Sequence, residues 1–253
     1  MYLRALLYIV SASLLTTCSA PPDLLDKILE TGELRVVSRN SPTAFVFGPE
    51  GPSGPEYDLI QAFADDLGVK LVVDAVDSVA EVLPALLTGR SHMAAAGLSV
   101  TNSRREFLNF GYPYQNVDMH LVYRLGTGKP REIQDIIGRP IEVVADSSHA
   151  EMISALAEIY PGIEFSVNAD AEVADLLAKV ADGRLDLTVA DSTEFNIQRH
   201  FYPDIRIALD LELDDKLAWA FPKGYGDSLL ARADDFLIRV ERSGLLAQIQ
   251  DRY

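Results

Sequence analysis

The chain holds one cysteine, one tryptophan and four histidines in 253 residues. A single thiol cannot close an intramolecular disulfide. The histidines (His92, His120, His149 and His200) are scattered without the spacing of a zinc site. Positive charge is scarce as well: 22 Lys and Arg stand against 38 Asp and Glu, a formal charge of −16. That balance argues against nucleic acid as a partner, because no basic stripe exists to neutralise phosphates. It also argues against adhesion to anionic lipid by charge alone. What remains is an ordinary globular composition, 48% hydrophobic and 24% charged, long enough for one large domain or two small ones.

The N-terminus carries one early positive charge, Arg4, and then an apolar run through Leu15. That run is too short to span a bilayer comfortably, so residues 1–17 read as a secretory signal peptide. It ends Leu15-Thr16-Thr17-Cys18, which resembles a bacterial lipobox, with Thr17 where Gly, Ala or Ser is usual. On this reading Cys18 is lipidated, residues 18–28 form a tether, and the protein is periplasmic and lipid-anchored. Ser19 after the cysteine implies, by the usual sorting pattern, the outer membrane. An ordinary signal peptide with an incidental cysteine is the alternative.

The most informative stretch is 93–114, MAAAGLSVTNSRREFLNFGYPY. Its small apolar residues, Met93 to Ala96, predict a buried strand that stops at Gly97. A loop with Ser99, Thr101, Asn102 and Ser103 then delivers Arg104 and Arg105. Hydroxyls followed by a guanidinium fork suit a carboxylate or phosphate. Residues 183–191, GRLDLTVAD, echo residues 89–97, GRSHMAAAG. Each segment follows a helical pattern closed by Gly and runs into a short apolar strand. Gly97 and Asp191 hold matching places at the carboxyl ends of these strands, where ligands of open α/β sheets bind. Two facing lobes would set Arg104 in one wall and Asp191 in the other, an arrangement suited to a zwitterion such as an α-amino acid.

Strands and helices alternate along the rest of the chain. Helices are expected over 24–30, 57–67, 79–87, 173–181 and 193–200, with a further helix to Tyr160 capped by Ser147 or Ser148. Strands are expected over 34–37, 69–73, 119–123, 141–145, 163–167, 187–190, 205–209 and 217–221, and 40–55 reads as a Pro- and Gly-rich loop. Alternation on this scale predicts an α/β fold with mainly parallel sheets.

Three motifs carry a resemblance. Gly54-Pro55-Glu56-Tyr57-Asp58-Leu59, Gly97-Leu98-Ser99-Val100-Thr101-Asn102-Ser103-Arg104, and the segment from Asp182-Gly183-Arg184 to Asp191-Ser192 resemble, in order and at family spacing, those of the family 3 extracellular solute-binding proteins. Within the family the chain most resembles the N-terminal module of membrane-bound lytic murein transglycosylases of the F type. The resemblance implies a two-lobed periplasmic-binding-protein fold of type II. Lobe 1 would be 29–122 plus 214–253 and lobe 2 would be 123–213, with crossings near Tyr123 and Asp214.

It further implies that Arg104 pairs with the ligand carboxylate, assisted by Ser99 and the backbone at Gly97, while Asp191 accepts the ammonium. Phe45 is implied as a stacking aromatic, and Ser147 and Ser148 as donors at a helix N-terminus. The implied ligand is an amino acid or a muropeptide stem peptide, with no metal and no cofactor. Partners would be peptidoglycan-processing enzymes if the module senses wall turnover, or an ABC permease if it feeds an importer. The catalytic glutamate of the transglycosylases' second domain is not found, so lytic activity is not expected of this chain. A periplasmic dehydratase on the same fold is a third reading, but no acid–base pair in the sequence demands it.

Other residues read as structural. Trp219 is expected in the core, Asp186 as a structural carboxylate, and His92 as structural. Asp214 and Asp215 read as a solvated turn, Glu56 and Asp58 as helix N-terminal residues favoured by the dipole, and Asp146 as a helix cap.

Overall fold

The computed structural model describes residues 23–253, so the expected signal peptide and Cys18 lie outside it. The end of the expected tether is already folded. Helix α1 (Leu24–Thr31) is capped by the Asp23 carboxylate, closed by Gly32, and buries Leu24 and Ile28 in the first core. Strand β1 (Glu33–Arg39) follows. The segment read as a loop contains a small hairpin of β2 (Val46–Gly48) and β3 (Gly51–Ser53). Helix α2 (Pro55–Leu67) begins with proline at its first position, where the missing N–H costs nothing. A Cβ on Gly54, just before it, would strike the carbonyl of Ala44.

Next come β4 (Lys70–Val76), α3 (Val82–Leu87), β5 (Met93–Ala94), α4 (Asn102–Arg105) and β6 (Leu108–Phe110). Ser78 precedes a 3-10 turn ahead of α3 without capping its backbone. Lobe 2 contains β7 (Gln115–Arg124), β8 (Ile141–Val144), α5 (Ser148–Ile159), β9 (Phe165–Asn168), α6 (Val173–Ala181), β10 (Leu187–Asp191), α7 (Ser192–Phe201) and β11 (Ile205–Leu217). The chain then returns through β12 (Ala220–Pro222), α8 (Ser228–Ser243) and α9 (Leu245–Gln250).

Each lobe is built on a five-stranded sheet, with orders β4-β1-β5-β12-β6 and β11-β7-β10-β8-β9. The sheets are mixed, not mainly parallel as expected. They are parallel where strand and helix alternate (β4-β1-β5 and β10-β8-β9) and antiparallel where the connecting strands join. The connection also corrects the expected crossings. Strand β7 belongs to lobe 2 from its first residue, and Gln115 pairs with Leu217. On the lobe 1 side, Tyr114 donates its N–H to Leu217 O and Gly111 donates to Trp219 O. The chain therefore crosses near Tyr114 and near Ala218, along one antiparallel ribbon. The expected break at 209–217 is absent because β11 runs on through it with bulges, and Asp214 takes a φ of 58° there.

The lobe 1 core gathers around Trp219, which is fully buried. It stacks on Phe236 at a centroid distance of 6.2 Å and packs against Phe63 at 5.4 Å. Lobe 2 has apolar clusters on both faces of its sheet, around Leu121, Ile153 and Leu187 on one side and Val122, Leu176 and Phe195 on the other. Among the described residues no helix is long and apolar enough to cross a membrane.

Candidate functional site in the interlobe cleft

The carboxyl ends of β1 and β5 face that of β10 across the gap between the lobes. On the lobe 1 side the chain after β5 turns at Gly97, whose φ of 63° favours a residue without Cβ. Its N–H donates to Glu56 Oε1 at 2.8 Å. Glu56 lies in the first turn of α2, as expected, but it is buried, and it also accepts from the Tyr114 hydroxyl and from Trp219 Nε1 at 3.1 Å. Burial holds its carboxyl above the usual range, outweighing the three hydrogen bonds that favour the anion.

The loop then delivers Arg104 on α4, with the Thr101 hydroxyl accepting from the Arg104 N–H at the helix start. The Arg104 guanidinium spans both lobes. It donates from Nη1 to Ser99 O at 3.0 Å and from Nη2 to Asp146 O at 3.2 Å.

On the lobe 2 side Asp191 ends β10 and lies 3.1 Å from His149 Nε2. Burial opposes charge on His149, but Asp191 and Glu194 outweigh it and raise its pKa above the ordinary value. The same pairing, helped by Arg39 and Arg104, outweighs burial on Asp191 and holds its carboxyl below the usual range. His149, Asp191 and Glu194 present ligand atoms within 4.8 Å of one another, a grouping able to hold a cation. The cation beside it is Arg39, whose Nη2 lies 3.4 Å from Glu194 and whose Nη1 lies 3.0 Å from Glu172.

Arg104, Ser99, Ser148 and Asp191 are thus gathered at one cleft, and the Ser99 and Ser148 hydroxyls meet across it at 3.2 Å. Other expected ligand groups are already engaged. The Gly97 N–H is taken by Glu56. The Ser147 hydroxyl caps α5, accepting from Ala150 N at 3.1 Å and donating to Val144 O at 2.6 Å. Phe45 packs on Tyr57, with ring centroids 5.8 Å apart; like Ser99, Arg104, Ser147 and Ser148, it is not among the residues lining the cavity described below.

Asp146 does not cap α5, since Ser147 does. Its φ of 56° is a left-handed conformation, uncommon for a residue other than glycine. Asp215 is no solvated turn residue either. It is mostly buried in β11, and burial raises its carboxyl while the Ser99 hydroxyl opposes that shift. Asp186 is held by a two-pronged contact from Arg139 at 2.7 and 2.8 Å, as a structural carboxylate should be.

A cavity of about 550 Å³ opens from this cleft toward the ribbon. Arg39, Glu56, Gly97 and Asp191 line its polar end, and Leu59, Ile197 and Ile249 are among the apolar residues of its walls.

Residues 34–253 match the profile of bacterial extracellular solute-binding proteins, family 3. The chain belongs to this family. It is 38% identical over 241 residues to a protein of Pseudomonas fluorescens Pf-5 named membrane-bound lytic murein transglycosylase F, covering 95% of this chain and 50% of that one. The chain thus spans about half the length of that relative. Among solved structures, a mutant arginine-binding protein of T. maritima superposes with a TM-score of 0.80 at 22% identity, covering 91% of this chain and 98% of that one. An amino acid ABC transporter substrate-binding protein of Streptococcus pneumoniae, bound to L-arginine, superposes with a TM-score of 0.78 at 22% identity, covering 89% of this chain and 96% of that one.

For a family 3 binding protein, the cleft residues not anticipated from sequence are Arg39, Glu56, His149, Glu172 and Glu194. Arg39 did leave a signal, because a charge directly after an apolar strand sits where ligands bind. Glu172 and Glu194 left none, since each reads as an ordinary acidic residue of a helix start.

Proposed function

We propose that this protein captures a small zwitterion, an amino acid or a peptidoglycan stem peptide, between its lobes and serves as a sensor of murein turnover. The observation that carries this reading is the placement of Arg104 and Asp191 in opposite walls of one cleft. Arg104 is oriented by two backbone carbonyls, one from each lobe, and the rest of its fork can grip a carboxylate. Asp191, held ionised, can accept an ammonium. Ligand contact with both walls favours the closed arrangement only by the contacts it gains there.

The sensing role is supported by the kinship with transglycosylase F proteins, and the periplasmic, lipid-anchored, outer-membrane location by the same kinship and by the Cys18 segment. Delivery to an ABC permease is the second reading, supported by the fold shared with a transporter's binding protein. Calorimetric titration of the chain with amino acids and stem peptides, beside Arg104→Ala, tests both. Binding that vanishes in the variant supports the clamp, and the preferred ligand separates sensing from uptake. Binding that ignores Arg104 overturns the reading.

A further inference from the structure

Arg39 reaches across the cleft from the end of β1. Its Nε donates to Ala96 O at 3.0 Å in lobe 1, while its terminal nitrogens meet Glu172 at 3.0 Å and Glu194 at 3.4 Å in lobe 2. The two glutamates come from separate elements, the position before α6 and the first turn of α7, and Asp191 adds a third carboxylate nearby. Carboxylates disposed around a planar fork are what a free guanidinium or ammonium would need for recognition. Here the chain's own guanidinium holds the place. A second cation arriving from solution would meet Arg39 as a like charge in a poorly hydrated site, a repulsion that selects against it. The remainder of the cavity offers no counter-charge along its apolar walls, which include Leu59, Val117, Ile197, Leu217 and Ile249.

We propose that Arg39 is a specificity-determining residue, an internal guanidinium that fills the cationic subsite of the cleft and restricts the ligand to zwitterions with uncharged, mainly apolar side chains. This inference rests on the zwitterion reading above and adds to it the class of side chain. Glu172 Oε1 and Glu194 Oε2 are buried without a hydrogen-bond partner among the described residues. Shortening Arg39 would therefore leave a pocket of unsatisfied acceptors ready for a replacement cation.

The test is calorimetry of the whole chain with L-leucine, L-arginine and L-lysine, repeated on Arg39→Ala. Wild type is expected to bind leucine at least about tenfold more tightly than arginine or lysine. Arg39→Ala is expected to gain roughly 10- to 100-fold in arginine affinity, the worth of a charged hydrogen-bond set. Millimolar guanidinium chloride should raise the melting temperature of the variant above that seen in equal sodium chloride, and should not do so for wild type. Should the alanine variant not fold, Arg39→Met and the wild-type panel alone still decide. Arginine binding to wild type as tight as leucine binding overturns the role given to Arg39 and leaves the zwitterion reading standing. Failure of every amino acid and stem peptide to bind overturns both.

Discussion

Glu56 offers the sharpest test of how lobe 1 holds its ligand loop. Its Oε1 accepts from Gly97 N–H and the Tyr114 hydroxyl, and its Oε2 accepts from the Trp219 indole. A carboxylate can accept from all of them, but a carboxamide cannot. In Glu56→Gln, an amide oxygen facing Gly97 and Tyr114 sets its NH2 against the indole N–H, donor to donor. Flipped, it satisfies Trp219, and the Tyr114 hydroxyl can turn to accept, but the Gly97 N–H loses its partner. Either way one buried donor is orphaned, at about 1–3 kcal/mol. Removing a desolvated charge offsets part of this, since burial already disfavours the anion, leaving a net loss of about 1–2 kcal/mol at neutral pH.

For a chain of this size that corresponds to a fall of roughly 2–8 °C in Tm. Circular dichroism melts measure it, and the fluorescence of the chain's one tryptophan reports on the same hydrogen bond. The pH dependence carries a definite sign. The folded pKa lies above the reference value of 4.5, so the stabilisation that comes with the bound proton is complete below 4.5 and is lost as pH rises through the folded value. The gap between wild type and Glu56→Gln should therefore be widest in acid and narrow toward neutrality. An unchanged Tm at every pH would refute the assigned hydrogen bonds, and a gap that widens as pH rises would refute the raised carboxyl pKa.

Arg104→Ala should weaken binding of the preferred zwitterion by about 2–5 kcal/mol, because a carboxylate left in the cleft has no partner. Arg104→Lys should recover only part of that loss, since an ammonium cannot bridge two carbonyls and a carboxylate as a fork does. His149→Gln should destabilise most below pH 6.5, where the Asp191 pairing contributes fully, and the difference from wild type should fade as pH rises through the raised His149 pKa. Urea unfolding at about pH 5.5 and about pH 8.5 checks this, and equal differences at the two would sink the pairing. Cys18→Ser should abolish incorporation of radiolabelled palmitate and release the protein from the membrane fraction; persistent labelling would end the lipoprotein reading.

Elements with a strong local signature were legible from sequence. Residues 173–181 form the expected helix, the helices expected over 24–30 and 57–67 are present and closed by Gly32 and Gly68, and Trp219 lies in the core. The mixed character of the sheets was not legible, because strand direction is decided by long-range pairing of β7 with β10 and β11. The acidic pair Asp214 and Asp215 misled for a related reason. Its carboxylates look like a solvated turn until the partner strand is known, and bulges then carry them through a continuous β11. In the cleft, Arg104 and Asp191 could be read from motif and position. Arg39, Glu172 and Glu194 acquire meaning only when the two lobes face each other, since no local pattern says which charges will meet across a gap.

The paired crossing has a consequence for modularity. Because the chain leaves lobe 1 beside the place where it returns, with Tyr114 N–H bonded to Leu217 O, everything in lobe 2 is one uninterrupted insert. A short turn joining those two residues would leave every strand of the first sheet in place. Lobe 2 is in that sense a cassette: it can be exchanged for a relative's without rerouting lobe 1, and a new half-site can be grafted onto an unchanged arginine clamp.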